Sequence, residues 1–213
     1  MKFAKNLQYY SFERSALVDM LPCIKGKVLE IGCGSGATLE YMKSKGVSYV
    51  VGIDINREAI DLASKRGADI ALVLDVEKDD LPFKEKEFDC IILADVLEHL
   101  YNPWDILKKI TSYLADSGNI LISLPNIRHY MILLRLVFHD EWTYTDAGTL
   151  DNSHIRFFTL KEIRKLLAYA GLREVKIKGI NASGKKLKRL NRLFFNKLET
   201  FSSGQYYVLA TKK

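Results

Sequence analysis

The chain has 213 residues, 48% of them apolar and 27% charged, the balance of a globular protein and not of a disordered or fibrous one. A chain of this length buries roughly 70% of its unfolded surface and needs no staples to fold; its three cysteines, Cys23, Cys33 and Cys90, lack a CxxC pair, which excludes a disulfide framework and leaves no zinc signature. The formal net charge of +6 points, taken alone, to an anionic partner such as nucleic acid or a membrane surface.

The first residues lack the unbroken apolar stretch and small-residue cleavage site of a signal peptide. Lys27–Ile31 predicts a buried strand, closed by the glycine cluster GCGSG, and Ala37–Gly46 a helix. Tyr49–Ile53 predicts a second strand, Arg57–Lys65 a helix, and Ile70–Leu74 a third strand. Phe88–Ala94 predicts a fourth, followed by a helical pattern over Pro103–Leu114 and a fifth strand over Asn119–Leu124. Strands that are apolar throughout and separated by helices require a parallel sheet covered on both faces. The fold class is therefore α/β, a doubly wound sheet, in one domain over residues 1–213. The regularity stops at Pro125. Residues 125–159 are rich in aromatics, histidines and arginines, and a stretch of that length predicts a lid or binding insertion. Its most apolar run, Tyr130–Phe138, is broken by Arg135 and falls far short of the roughly 20 residues that span a bilayer. A cytoplasmic protein is expected. A helix over Leu160–Ala170, a strand over Val175–Ile180, a basic segment and a last strand over Gln205–Thr211 complete the chain.

The glycine cluster carries the first chemical signal. Glu30-Ile31-Gly32-Cys33-Gly34-Ser35-Gly36 joins strand to helix, where glycines allow a tight turn and close approach of backbone to a ligand. Asp54 follows at the end of the second strand, where a carboxylate can accept both ribose hydroxyls of a nucleoside, with Ile55 beside it. The dinucleotide fingerprint is GxGxxG, whereas the spacing here is GxGxG, preceded by the acidic Glu30. A carboxylate beside the loop repels a pyrophosphate and suits an ammonium or sulfonium, which favours S-adenosylmethionine (SAM) over NAD. Asp75, ending the third strand, can accept from an adenine amino group; Val76 offers the ring an apolar contact, and Asp95 lies just past the fourth strand. Each of these acids could instead cap a helix or turn. All of them fall at strand carboxyl ends, where open α/β sheets bind ligands.

With these motifs in order, the sequence resembles the class I SAM-dependent methyltransferases. VLEIGCGSG looks like their first motif, GIDIN their second, and LDVEKDDLPFKEKEFDCIILADVLEHL their third and fourth, over residues of about 14 to 124. The resemblance implies a seven-stranded sheet with only the last strand antiparallel. It implies SAM as cofactor, leaving as S-adenosylhomocysteine, and no metal. Gly32, Cys33, Gly34 and Gly36 would wrap its methionine part, Asp54 its ribose, and Asp75 with Val76 its adenine; Arg14 and Tyr10 would lie near its carboxylate, as an arginine or tyrosine of an N-terminal helix does in relatives. His99, closing ADVLEHL, stands where the family often carries a histidine near the cofactor. LDNSHIRFFT resembles the LDxxHxRFFT segment of methyltransferases often associated with glycan and cell-envelope biosynthesis, which would bring His154 and Arg156 over the site.

Methyl transfer from a sulfonium needs alignment and, for a hydroxyl or amine, removal of a proton. His154 and His99 are the candidate bases; each could equally serve as a packing or pinning residue. Arg156 offers a fork of donors for a carboxylate or phosphate, and Trp142 and Tyr144 are candidates either for an acceptor pocket or for core packing. His129 and His139, flanking the apolar run, are expected on the surface. The expected acceptor is an oxygen or nitrogen of a small molecule, glycan or lipid-linked intermediate. There is no Asn-Pro-Pro-aromatic tetrapeptide and no cysteine placed as a pyrimidine nucleophile, so nucleic acid is not expected as a substrate. The rival readings are a nicotinamide-dependent oxidoreductase and a non-catalytic SAM- or polyanion-binding module.

The charge itself is local. Residues 173–199 carry a net +7, and the remainder a net −1. Within 184–201, Leu187, Leu190, Phe194, Leu198 and Phe201 recur at spacings of three and four, which predicts an amphipathic helix whose basic face could rest on an anionic membrane or polyanion, or simply face solvent.

Overall fold

The computed structural model describes residues 13–21, 23, 26–181 and 199–213. In chain order these form α1 (Ser15–Val18), β1 (Lys27–Ile31), α2 (Ala37–Ser44), β2 (Tyr49–Asp54), α3 (Arg57–Lys65), β3 (Ile70–Val73), β4 (Phe88–Ala94), a 3-10 turn (Leu97–His99), α4 (Pro103–Ser112), β5 (Leu114–Pro125), α5 (Tyr130–His139), α6 (Leu160–Tyr169), β6 (Leu172–Asn181), α7 (Glu199–Ser202) and β7 (Ser203–Lys212). Most of the predicted amphipathic helix, like Tyr10, lies outside the described residues; of that stretch only Glu199–Phe201 belongs to a described element, the single turn α7.

The strands form one seven-stranded sheet in the order β3-β2-β1-β4-β5-β7-β6. β1, β2, β3, β4 and β5 run parallel, and β7 is antiparallel to both β5 and β6. Strand order reverses at β1, which pairs with β2 on one side and β4 on the other. That reversal opens a crevice at the strand carboxyl ends.

Successive residues of each central strand point to opposite faces, and both faces are buried. Leu29, Ile91, Leu93 and Ile122 pack with Ile106 and Leu107 of α4 and Ile163 and Leu167 of α6. Val28, Val50, Ile92 and Leu121 pack with Leu17 of α1, Leu39 and Met42 of α2, and Ile60 and Ala63 of α3. Three helices start where a short polar side chain caps the first turn. Asn56 accepts from the Ala59 N–H at 3.0 Å, Asn102 accepts from the Asp105 N–H with Pro103 at the first helical position, and Thr159 accepts from the Glu162 N–H.

Of the strands that outrun their expected bounds, β5 and β6 do so most. β5 begins at Leu114, opposite Phe88, and slips register before Asn119 takes up Cys90. The intervening Asp116-Ser117-Gly118 reads as a turn because it forms the bulge. β6 begins at Leu172; as the sheet's outer strand it tolerates the polar Arg173 and Glu174, which hide its start from periodicity.

Candidate active site

The turn after β1 is shaped by glycines at positive φ. Gly32 has φ +71°, and a Cβ on it would stand 2.5 Å from Val96 Cγ2; Gly36 has φ +80°, and a Cβ would stand 2.8 Å from the Ala63 Cα. An L side chain is strained in that conformation and blocked by those neighbours. The Gly32 and Cys33 N–H groups donate to the Ile53 carbonyl at 2.7 and 3.0 Å. The Gly34 N–H donates to Asp54 Oδ2 at 2.8 Å, and the Asn56 N–H to Oδ1 at 2.9 Å. Asp54 is buried, which lifts its carboxyl above the usual carboxylate range even though backbone donors oppose the shift. Ile55, directly after it, is 50% exposed. An exposed apolar residue beside a buried carboxylate and a Cβ-free backbone is a surface suited to a nucleoside.

Glu30 is buried beneath this turn. Its Oε2 has no hydrogen-bond partner, and burial pushes its carboxyl up to about 8, against the pull of the Thr38 hydroxyl and the Arg14 charge. Burial also pushes the Cys33 thiol up, so it stays protonated and unreactive. Asp75 sits in the turn after β3, where it accepts from the Glu77 N–H and pairs with Lys78; Val76 is buried against the core. Asp95 follows β4 at φ +56°. It pairs with Arg14 at 2.6 Å and accepts from the Ser123 hydroxyl at 2.7 Å and the Gln205 amide at 2.5 Å. Arg14, from the segment before α1, is thereby fixed at the carboxyl end of the sheet.

Just past Asp95, three side chains meet. His99 and His154 stack edge to face with ring centroids 4.7 Å apart, and His154 Nε2 lies 3.9 Å from Glu98 Oε1. Glu98 is fully buried, which drives its carboxyl well above the ordinary range; burial and His154 hold His99 below its usual value. His99 Nδ1 lies 3.2 Å from the Ser153 carbonyl, and His154 Nδ1 lies 3.1 Å from the Thr149 carbonyl. A carbonyl only accepts, so both Nδ1 atoms carry hydrogen, which in a neutral imidazole leaves the lone pair on Nε2. The Ile155 and Arg156 N–H groups donate to the Glu98 carbonyl, each at 3.0 Å, and the Arg156 guanidinium donates to the Tyr101 carbonyl. Arg156 thus clamps residues 149–156 onto the turn after β4. Glu98 is the residue that sequence reasoning missed. Its only signal is the Glu-His pair inside ADVLEHL, and no periodicity reveals that it points inward.

Of the other candidates, Trp142 meets Phe157 edge to face at 5.5 Å and Tyr144 is half exposed; both are exposed side chains and neither is core. They lie in the segment that follows α5, a helix with no buried residue. His139 is exposed as expected, whereas His129 is half-buried, its Nε2 shielded and unpartnered. Among the described residues, no helix is long and apolar enough to cross a membrane.

Comparison with known proteins agrees with this geometry. The family model described as a methyltransferase domain matches residues 4–177. An uncharacterized protein of Methanocaldococcus jannaschii is 29% identical over 178 residues, covering 82% of this chain and 77% of that one. A ubiquinone biosynthesis O-methyltransferase of Coxiella burnetii is 26% identical over 172 residues, covering 79% and 73%. Among solved structures, a SAM-dependent methyltransferase from Archaeoglobus fulgidus superposes with a TM-score of 0.66 at 24% identity, covering 100% of this chain and 96% of that one. The sheet order, the glycine turn and the family match together place the chain in the methyltransferase domain family. The chain is therefore a methyltransferase by family, and the nicotinamide reading falls with that assignment.

Proposed function

We propose that this enzyme moves the methyl group of SAM to an oxygen, or else a nitrogen, of a small-molecule, glycan or lipid-linked acceptor held under residues 125–159. SAM supplies an electrophilic methyl on a sulfonium. Gly32, Cys33, Gly34 and Gly36 line its methionine part with Cβ-poor backbone, and Glu30 and Arg14 face its charged groups. Asp54 accepts from the ribose. Ile55 and Val76 contact the adenine, and Asp75, although engaged in its own turn, is the candidate acceptor for the ring's amino group. Asp95 holds Arg14 in place.

The observation that carries the acceptor reading is the His99–His154 pair, whose Nε2 lone pairs sit past the end of β4. His99, the less buried of the two, takes the acceptor's proton, and His154 behind it orients the ring. Arg156, Trp142 and Tyr144 border the acceptor side. Oxygen is favoured over nitrogen by the O-methyltransferase named among the relatives. The same name, with the LDxxHxRFFT segment, supports a lipid-linked or envelope-related acceptor, and the basic stretch 184–201 supports its delivery at an anionic membrane.

Methyl transfer from SAM labelled at the methyl group, assayed on phenolic, glycan and lipid-extract acceptors, tests this reading. His99→Ala should lower kcat by about 10²–10⁴-fold while SAM still raises Tm by mass action on the native state. An unchanged kcat would remove His99 as the base, and labelling confined to nucleic acid would overturn the acceptor class.

A further inference from the structure

We propose that Glu98, His99 and His154 form a binding site for one divalent d-block cation of the zinc type. One ligand atom from each of the three lies within 4.8 Å of the other two. Zinc bonds of about 2.0–2.2 Å require ligand atoms somewhat closer than the 3.9 Å between His154 Nε2 and Glu98 Oε1, an adjustment within reach of small side-chain rotations.

Three further observations support the assignment. Glu98 is 0% exposed, and neither carboxylate oxygen has a hydrogen-bond partner. A buried carboxyl left without partners is strongly destabilising, and such a group calls for an ion or water to satisfy it. A proton shared with His154 does not do so, because 3.9 Å exceeds hydrogen-bond reach. Second, both imidazoles donate Nδ1–H to main-chain carbonyls, of Ser153 and Thr149. That is the outer-shell arrangement which fixes a metal-binding histidine in its Nε2-presenting tautomer. Third, Asp95 and Asp151 bring negative charge to Glu98, opposed by Arg14 and the Glu98 backbone.

The donor set selects the metal. Two imidazole nitrogens and one carboxylate suit zinc and its d-block neighbours, whereas magnesium and calcium prefer oxygen throughout. Three protein ligands leave a coordination position open, as in sites that take a water or a substrate oxygen. The proton-accepting role assigned above to His99 belongs to the cation-free cluster; the suggestion that the open position takes an acceptor hydroxyl rests on the methyl-transfer reading, but cation binding does not.

Chelator-treated full-length protein is titrated with zinc by calorimetry in the absence of SAM. One zinc per chain with micromolar or tighter Kd is expected. Glu98→Gln and His154→Ala should each weaken it at least about tenfold, and His139→Ala, on the exposed end of α5, should not. Circular dichroism and the SAM-induced rise in Tm establish that each variant is folded; if His154→Ala is not, His99→Gln replaces it. Absence of zinc binding at micromolar concentration, or binding unaltered by Glu98→Gln, overturns the site. A chain that methylates its acceptor but binds no zinc refutes the cation site and leaves the proposed function standing. A chain that binds zinc through these residues but methylates nothing does the reverse.

Discussion

The Gly34 N–H donates to Asp54 Oδ2 at 2.8 Å, so the carboxylate at the end of β2 also holds the turn that follows β1. One side chain thereby couples the backbone at the carboxyl ends of β1 and β2. Asp54→Ala leaves the Gly34 and Asn56 N–H groups without their acceptor, and unmade buried hydrogen bonds are destabilising by about 1–3 kcal/mol. Urea unfolding should show a loss in that range, and SAM should no longer raise Tm. A retained SAM shift would mean that Asp54 shapes the turn without contacting the cofactor.

The turn also depends on space. Gly36→Ala meets the Ala63 main chain at 2.8 Å in a left-handed conformation. Gly46 has a similar φ of +88° but no atom within 4 Å. Gly46→Ala should therefore show only the conformational penalty, about 1–2 kcal/mol, and Gly36→Ala distinctly more, together with weakened SAM binding. Chemical denaturation of the two variants side by side separates clash from backbone strain.

Glu30 predicts a direction of pH dependence. Its folded carboxyl titrates at about 8, against an ordinary value of 4.5. The native state therefore keeps a proton that the unfolded chain has already released. The resulting contribution to stability is complete below the unfolded value, and it is lost as pH rises through about 8. Glu30→Gln carries no titrating proton, so the stability of the variant relative to wild type should increase between about pH 5 and about pH 8. Buried Asp54 and Glu98 shift in the same sense, so the difference between the two proteins, not the wild-type slope alone, is the quantity to measure.

Arg14 and Asp95 are 26% and 21% exposed at the side chain. Solvent screening limits such a pair to about 1 kcal/mol, so Arg14→Ala should destabilise the fold only slightly while weakening SAM binding. Asp95→Asn keeps a carbonyl for Ser123 and Gln205 and tolerates φ +56°, whereas Asp95→Val should show roughly 1–2 kcal/mol more loss in urea unfolding.

Val137 and Phe138, at the end of α5, are 70% and 72% exposed. Replacing both with serine should change unfolding free energy by less than about 0.5 kcal/mol. If residues 125–159 cover an apolar acceptor, KM should rise with kcat unaltered, which steady-state kinetics will read directly.

The amino-acid sequence alone determined the α/β alternation, the bounds of α3 and β4, and the position of the glycine turn and Asp54 at the carboxyl ends of β1 and β2. Those features are local: apolar runs, caps and glycines at positive φ declare themselves through near neighbours. β5 and β6 were only partly legible, because a bulge and an edge position replace apolar residues with polar ones. Tertiary structure alone decided that Arg14 reaches Asp95 and that Trp142 and Tyr144 stay outside the core. It also decided that Glu98 is buried against His154, from a segment far along the chain. No periodicity marks these polar residues, and their partners are fixed only when residues 149–156 fold back onto the turn after β4 through the Glu98 and Tyr101 carbonyls.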